Sequence, residues 1–202
     1  MKTIFIPAKV KSKVNNSRIL EISKQLPKNI VIAYSIQFQD IALQIKQILS
    51  KTHTIIQFVQ VLGCSKINFQ KNAQAILLIG NGRFHAISLA LETKLPIYLL
   101  DKDKLERISE KDMNNLKLKQ KASYLKFLNA DRIGILISTK SGQQRLKRAL
   151  ELKNKIKDKK IYFFLADNIN SNEFENFNLD SWINTACPRL DMDHSIINIS
   201  RL

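Results

Sequence analysis

Short continuous apolar runs recur along the chain, separated by stretches whose apolar residues fall three and four positions apart. The runs Asn29 to Ser35 (NIVIAYS), Thr54 to Leu62 (TIIQFVQVL), Ala75 to Gly80 (AILLIG) and Pro96 to Leu100 (PIYLL) read as strands. Thr3 to Ala8 (TIFIPA) reads as a further one. Arg18 to Leu26, Phe38 to Leu49 and Phe84 to Thr93 carry helical spacing. Continuous apolar strands alternating with helices of about 10 to 15 residues predict a parallel sheet covered on both faces. From Glu110 to Ala130 a Lys-rich amphipathic stretch without Gly or Pro predicts a connecting helix. A second cycle follows: strand Arg132 to Thr139, basic helix Gln143 to Lys157, strand Lys160 to Ala166 and strand Asp180 to Thr185. The expected fold is α/β, with two consecutive open parallel-sheet units over residues 1–129 and 130–202, helices on both faces.

Composition narrows the class without changing this architecture. The 202 residues suffice for a sizeable core, and 45% hydrophobic with 25% charged residues is the balance of a globular protein. No apolar run approaches the roughly 20 residues that span a bilayer, so no membrane role is expected. The start, MKTIFIPAKVKSK, turns basic after Pro7 and does not read as a secretory signal. A cytoplasmic protein with reduced thiols is the expectation. The net charge of +16 raises nucleic acid as a partner. However, the basic residues are spread along helices, as in RLKRALELKNKIKDKK, and neither zinc-finger spacing nor an aromatic RNA-binding strand occurs. Direct nucleic-acid binding is disfavoured; a basic surface suited to an acidic protein partner is expected instead.

The candidate chemistry lies just past the strands. Both cysteines of the chain do so: Cys64 in FVQVLGCS and Cys187 in INTACPRL. Ligands of open α/β sheets collect at the carboxyl ends of strands, which suits metal binding or reaction, although inert packing is open for each thiol. Two loops share that location. IGNGRFHAI offers Arg83 and His85, and STKSGQQR offers Thr139, Lys140, Gly142 and Gln143. Backbone amides at a helix start attract anions, and glycine permits close approach. Neither loop is a complete nucleotide motif: the first lacks the third glycine, and no GxxxxGK[ST] occurs. On the residues alone, tight turns before basic helix starts explain both loops equally well, with His85 a surface or capping residue.

Four ordered segments, QVLGCS, IGNGRFHAISLALETKLPIYLLD, ILISTKSGQQRLKRALELK and WINTACPRLDMD, resemble the diphthamide synthase family, and the likeness runs from IFIPAK to the carboxyl end. The family is that of 2-(3-amino-3-carboxypropyl)histidine synthase, an unconventional radical S-adenosylmethionine enzyme. The resemblance implies three similar α/β domains around a centre, each giving one cysteine to a 4Fe-4S cluster. Cys64 matches the middle-domain ligand and Cys187 the last-domain ligand. S-adenosyl-L-methionine serves as cosubstrate at the open iron. A 3-amino-3-carboxypropyl radical released from it adds to a histidine of elongation factor 2, the first step of diphthamide biosynthesis. Thiolates are the usual ligands of such clusters, and no compact CxxxCxxC triplet is present.

The family's first domain and its cysteine have no counterpart in the sequence. A separate chain bringing both, in an oligomeric split enzyme, is therefore expected. The alternative is a non-catalytic structural or electron-relay subunit of the same pathway. Arg83, His85, Thr139, Lys140, Gly142, Gln143 and Arg189 are expected to line the cleft near the cysteines and to bind cofactor or support the cluster. No residue is singled out as catalytic.

Overall fold

The computed structural model describes residues 4, 6–62, 67–190 and 196–202, which form two compact units, Met1–Met113 and Asn114–Leu202. In the first unit the elements run α1 (Asn16–Ser23), β1 (Asn29–Tyr34), α2 (Gln39–Leu49), β2 (Thr54–Gln60), β3 (Ala75–Ile79), α3 (Arg83–Thr93), β4 (Ile97–Asp101) and β5 (Lys104–Arg107). The sheet order is β2-β1-β3-β4-β5. All neighbours are parallel except β4 and β5, which form an antiparallel pair. From β1 the chain moves one way to β2, and from β3 the other way to β4. Right-handed crossovers therefore put α2 and α3 on opposite faces. Side-chain alternation agrees: Ile30, Ile32, Leu77 and Ile79 join Ile19 and Ile22 of α1 and Ala42, Ile45 and Leu49 of α2 in one core.

The second unit holds α4 (Glu110–Leu128, shared with the first), β6 (Arg132–Ser138), α5 (Leu146–Lys155), β7 (Lys160–Ala166), β8 (Ser181–Asn184) and β9 (Ile197–Asn198). Its sheet is parallel throughout, in the order β7-β6-β8-β9. One face packs Ile133, Ile135 and Ile137 against Phe127 of α4 and Ala149 of α5. The other face is aromatic: Phe174, from the 3-10 turn Ser171–Phe177, stacks on Trp182 at 4.2 Å, and Phe164 meets it edge-on at 4.7 Å. Gly134 pairs with Trp182 across β6 and β8, and a Cβ there would sit 2.4 Å from the indole. Only glycine lets that ring lie flat across the strand.

The predicted α/β class and parallel-dominated sheets are what the chain adopts. Three local readings need correction. Residues 4 and 6–8 form no strand, and Ile4 and Ile6 are over four-fifths exposed. No neighbour pairs with them, and Pro7 offers no amide to a ladder. Strand β5, to which the sequence reading assigned no element because KLER is short and charged, folds back on β4 through a turn at Lys102, whose φ is 56°. Finally, α5 begins at Leu146 and not at Gln143. The Gln143 amide instead donates to the Lys140 carbonyl in a turn that Gly142 completes at a φ of 79°.

Candidate functional site

In the second unit the topological switch point lies between β6, whose chain moves to β7 on one side, and β8 on the other. Side chains past the carboxyl ends of three strands converge there on a cavity of about 230 Å³. Ser138 ends β6, Lys140 and Gln143 come from the loop after it, Asp167 and Asn168 from that after β7, and Cys187 from that after β8. This is the crevice in which open α/β sheets bind ligands.

Cys187 is a free, half-buried thiol on a turn fastened from below. The Asn184 side chain donates from Nδ2 to the Cys187 carbonyl at 2.7 Å and to Asn198 Oδ1 at 2.6 Å. Its Oδ1 accepts from the Ala186 amide at 2.8 Å. Asn198 in turn donates to the Pro188 carbonyl at 3.0 Å. Thr185 Oγ1 donates to the Leu136 carbonyl at 2.7 Å, tying the start of the turn to β6. Asn184, Thr185 and Asn198 are all buried, so these bonds are shielded from water and removal of any one strands its partners. The backbone around the thiol is thus fixed before any ligand arrives.

The rest of the cavity combines apolar Ile169, Ala186 and Leu190 with polar groups that are largely paired among themselves. Thr139 Oγ1 donates to Asp167 Oδ1 at 3.0 Å, and the Lys140 ammonium donates to Asn168 Oδ1. Lys140, Gln143 and Cys187 line the cavity together, Thr139 and Gly142 shape its loop, and Arg189 stands exposed on the turn beyond Pro188. Asn184 and Asn198 escaped the sequence reading. Their signal was asparagine inside the apolar runs WIN and IIN, where strand propensity disfavours it and burial demands partners. A soft thiol donor beside an ammonium and polar groups suits metal or cluster ligation or an anionic cosubstrate. Among the described residues no three His, Cys, Asp or Glu side chains gather as a complete metal site.

In the first unit Cys64 lies outside the described residues. The strand leading to it is placed: the Val61 amide donates to the Tyr34 carbonyl, extending the β1–β2 ladder to the carboxyl edge. Arg83, at the start of α3, is engaged by two carboxylates, Glu106 of β5 and Asp112 of α4, the latter at 2.7 Å. Asp112 also accepts from the Ser109 hydroxyl at 2.6 Å, closing a capping box at the head of α4. That hydroxyl bond first, and the Arg83 guanidinium after it, hold the Asp112 carboxyl below the usual carboxylate range. His85 is half-buried, its ring edge-on to Phe84 at 5.1 Å. A larger cavity of about 450 Å³ between α1, α2 and the ends of β3 and β4 is mainly apolar, and no Cys or His among the described residues lines it.

Several known proteins are similar to this chain. Relatives named 2-(3-amino-3-carboxypropyl)histidine synthase include that of Pyrococcus horikoshii, 29% identical over 136 residues, covering 66% of this chain and 40% of the relative. That of Methanocaldococcus jannaschii is 27% identical over 213 residues, covering 98% of this chain and 58% of the relative. The chain therefore spans about half the length of these curated relatives. The crystal structure of Dph2 from Pyrococcus horikoshii with a 4Fe-4S cluster superposes with a TM-score of 0.79 at 21% identity, over 98% of this chain and 66% of that one, which shows a shared fold. The sequence profile of the diphthamide synthesis proteins matches residues 1–196, and this chain belongs to that family.

Proposed function

We propose that the chain supplies the middle and last domains, residues 1–129 and 130–202, of a 2-(3-amino-3-carboxypropyl)histidine synthase. In this reading the assembled enzyme transfers the 3-amino-3-carboxypropyl group of S-adenosyl-L-methionine to a histidine of elongation factor 2. The observation that carries it is the Cys187 turn: a thiol at the switch-point crevice, on a backbone already fixed by Asn184 and Asn198. Cys187 and Cys64 would each hold one iron of a 4Fe-4S cluster, with a third thiolate from a separate chain. When bound, that group supplies one-electron reduction of the sulfonium cosubstrate.

The chain's own residues contribute position and charge. Asn184 holds the Cys187 carbonyl, so the thiolate needs no backbone rearrangement to ligate. Lys140, Gln143 and Arg189 suit the cosubstrate's carboxylate by charge and hydrogen bonding. Thr139 and Gly142 set the course of that loop. Arg83 and His85 belong to the set as supports of the loop after β3, because the Arg83 guanidinium is committed to Glu106 and Asp112.

Anaerobic reconstitution with iron and sulfide tests the reading. Alone, the chain should fold but retain little cluster. Together with a polypeptide supplying the third cysteine, it should hold a stable brown chromophore and modify elongation factor 2. If the isolated monomer assembles a full cluster and turns over, the split arrangement is wrong.

A further inference from the structure

Helix α4 carries apolar residues on more than the face it buries. Leu116, Ser123 and Phe127 point inward, Phe127 into the core with Ile133 and Ile183. On the outside Leu118 is 65% exposed, Leu125 48% and Leu128 48%. With Lys121 between them, these positions follow the 3-4-3 spacing of a coiled-coil seam. Lys117, Lys119, Lys121 and Lys126 lie on the same helix, and no acidic residue occurs between Asp112 and its end.

We propose that this seam is a docking surface for an acidic amphipathic helix of a partner protein. The charges select the occupant. A second copy of this chain, itself at net +16, would bring lysine against lysine across the seam. A neutral apolar helix would desolvate Lys121 without a partner. A bilayer surface calls for a broad apolar face, whereas this stripe is narrow and interrupted by a cation. A helix with leucines at its own seam positions and a glutamate facing Lys121 satisfies all of these groups at once.

The full chain can be titrated with a synthetic helix of about three heptads, leucine at the seam, glutamate at the flanks and opposite Lys121. A charge-reversed version carries lysine in place of every glutamate. The acidic peptide should bind, weaken with added salt, and lose affinity at least about tenfold in Leu118→Ser/Leu125→Ser. Both leucines are exposed, and a circular dichroism spectrum of the variant matching that of the parent chain is the control for folding. Lys121→Glu should turn the preference toward the reversed peptide. Equal binding of both peptides, or unchanged affinity in the leucine variant, overturns the proposal. So does seam-dependent binding to phosphatidylserine vesicles without peptide binding, or seam-dependent dimerisation of the chain.

Discussion

The turn after β8 and the loop after β3 occupy corresponding places, each past a strand beside a switch point, yet they are fastened in opposite ways. The first is held from beneath by buried asparagines that bond its carbonyls and leave the Cys187 side chain at the cavity. The second is held from outside: Arg83 reaches to Glu106 and Asp112, spending its charge on the unit's own surface. Burial makes the difference. The asparagine bonds lie in a dry interior where an unmade partner is costly, whereas the arginine pairs are half-exposed and weak. The β8 turn is built for a precise side-chain position, and the β3 loop for anchoring the head of α4.

Breaking the buried network should have the largest effect. Asn184→Ala strands the Cys187 carbonyl, the Ala186 amide and the Asn198 side chain, and should cost roughly 3 kcal/mol in urea denaturation. Gly134→Ala drives a methyl into the Trp182 ring and should cost about 2 kcal/mol, with loss of near-ultraviolet tryptophan dichroism. Arg83→Ala, by contrast, should cost under about 1 kcal/mol, and less still in high salt.

Much of this was legible in the sequence, and the exceptions have physical causes. The strands NIVIAY and RIGILIS declare themselves because they are buried on both faces and so have no polar residue between their ends. TIFIPA has the same composition but no pairing neighbour among the described residues, and strand propensity without a ladder does not make a strand. KLER has one apolar residue, Leu105, too little to show a period of two; its pairing comes from the turn at Lys102. The position of Cys187 past a strand was readable, but its support was not. Asn198 lies beyond Asn184 in the chain, and only the β8–β9 pairing brings them together.

The smallest effect sharpens the contrast through pH. The Asp180 carboxyl is held below its ordinary value by the Arg132 amide first and the Arg132 side chain next, and Asp112 by the Ser109 hydroxyl first. A carboxyl depressed in the folded state stabilises above its unfolded pKa, and that contribution fades as pH falls through the folded value. Melting temperature should therefore decline modestly below about pH 4, and Asp180→Asn or Asp112→Asn should flatten the decline. The bonds of Asn184 and Asn198 involve no ionisable side chain and should be indifferent over the same range.

We propose that the asparagine-held turn presents Cys187 as a cluster thiolate. Iron and acid-labile sulfide, measured per complex after anaerobic reconstitution with the chain bearing the third cysteine, test it most directly. Cys187→Ala should remove most of both and bleach the chromophore, while Arg83→Ala leaves them intact. A Cys187→Ala complex that keeps its full iron and sulfide would contradict the account.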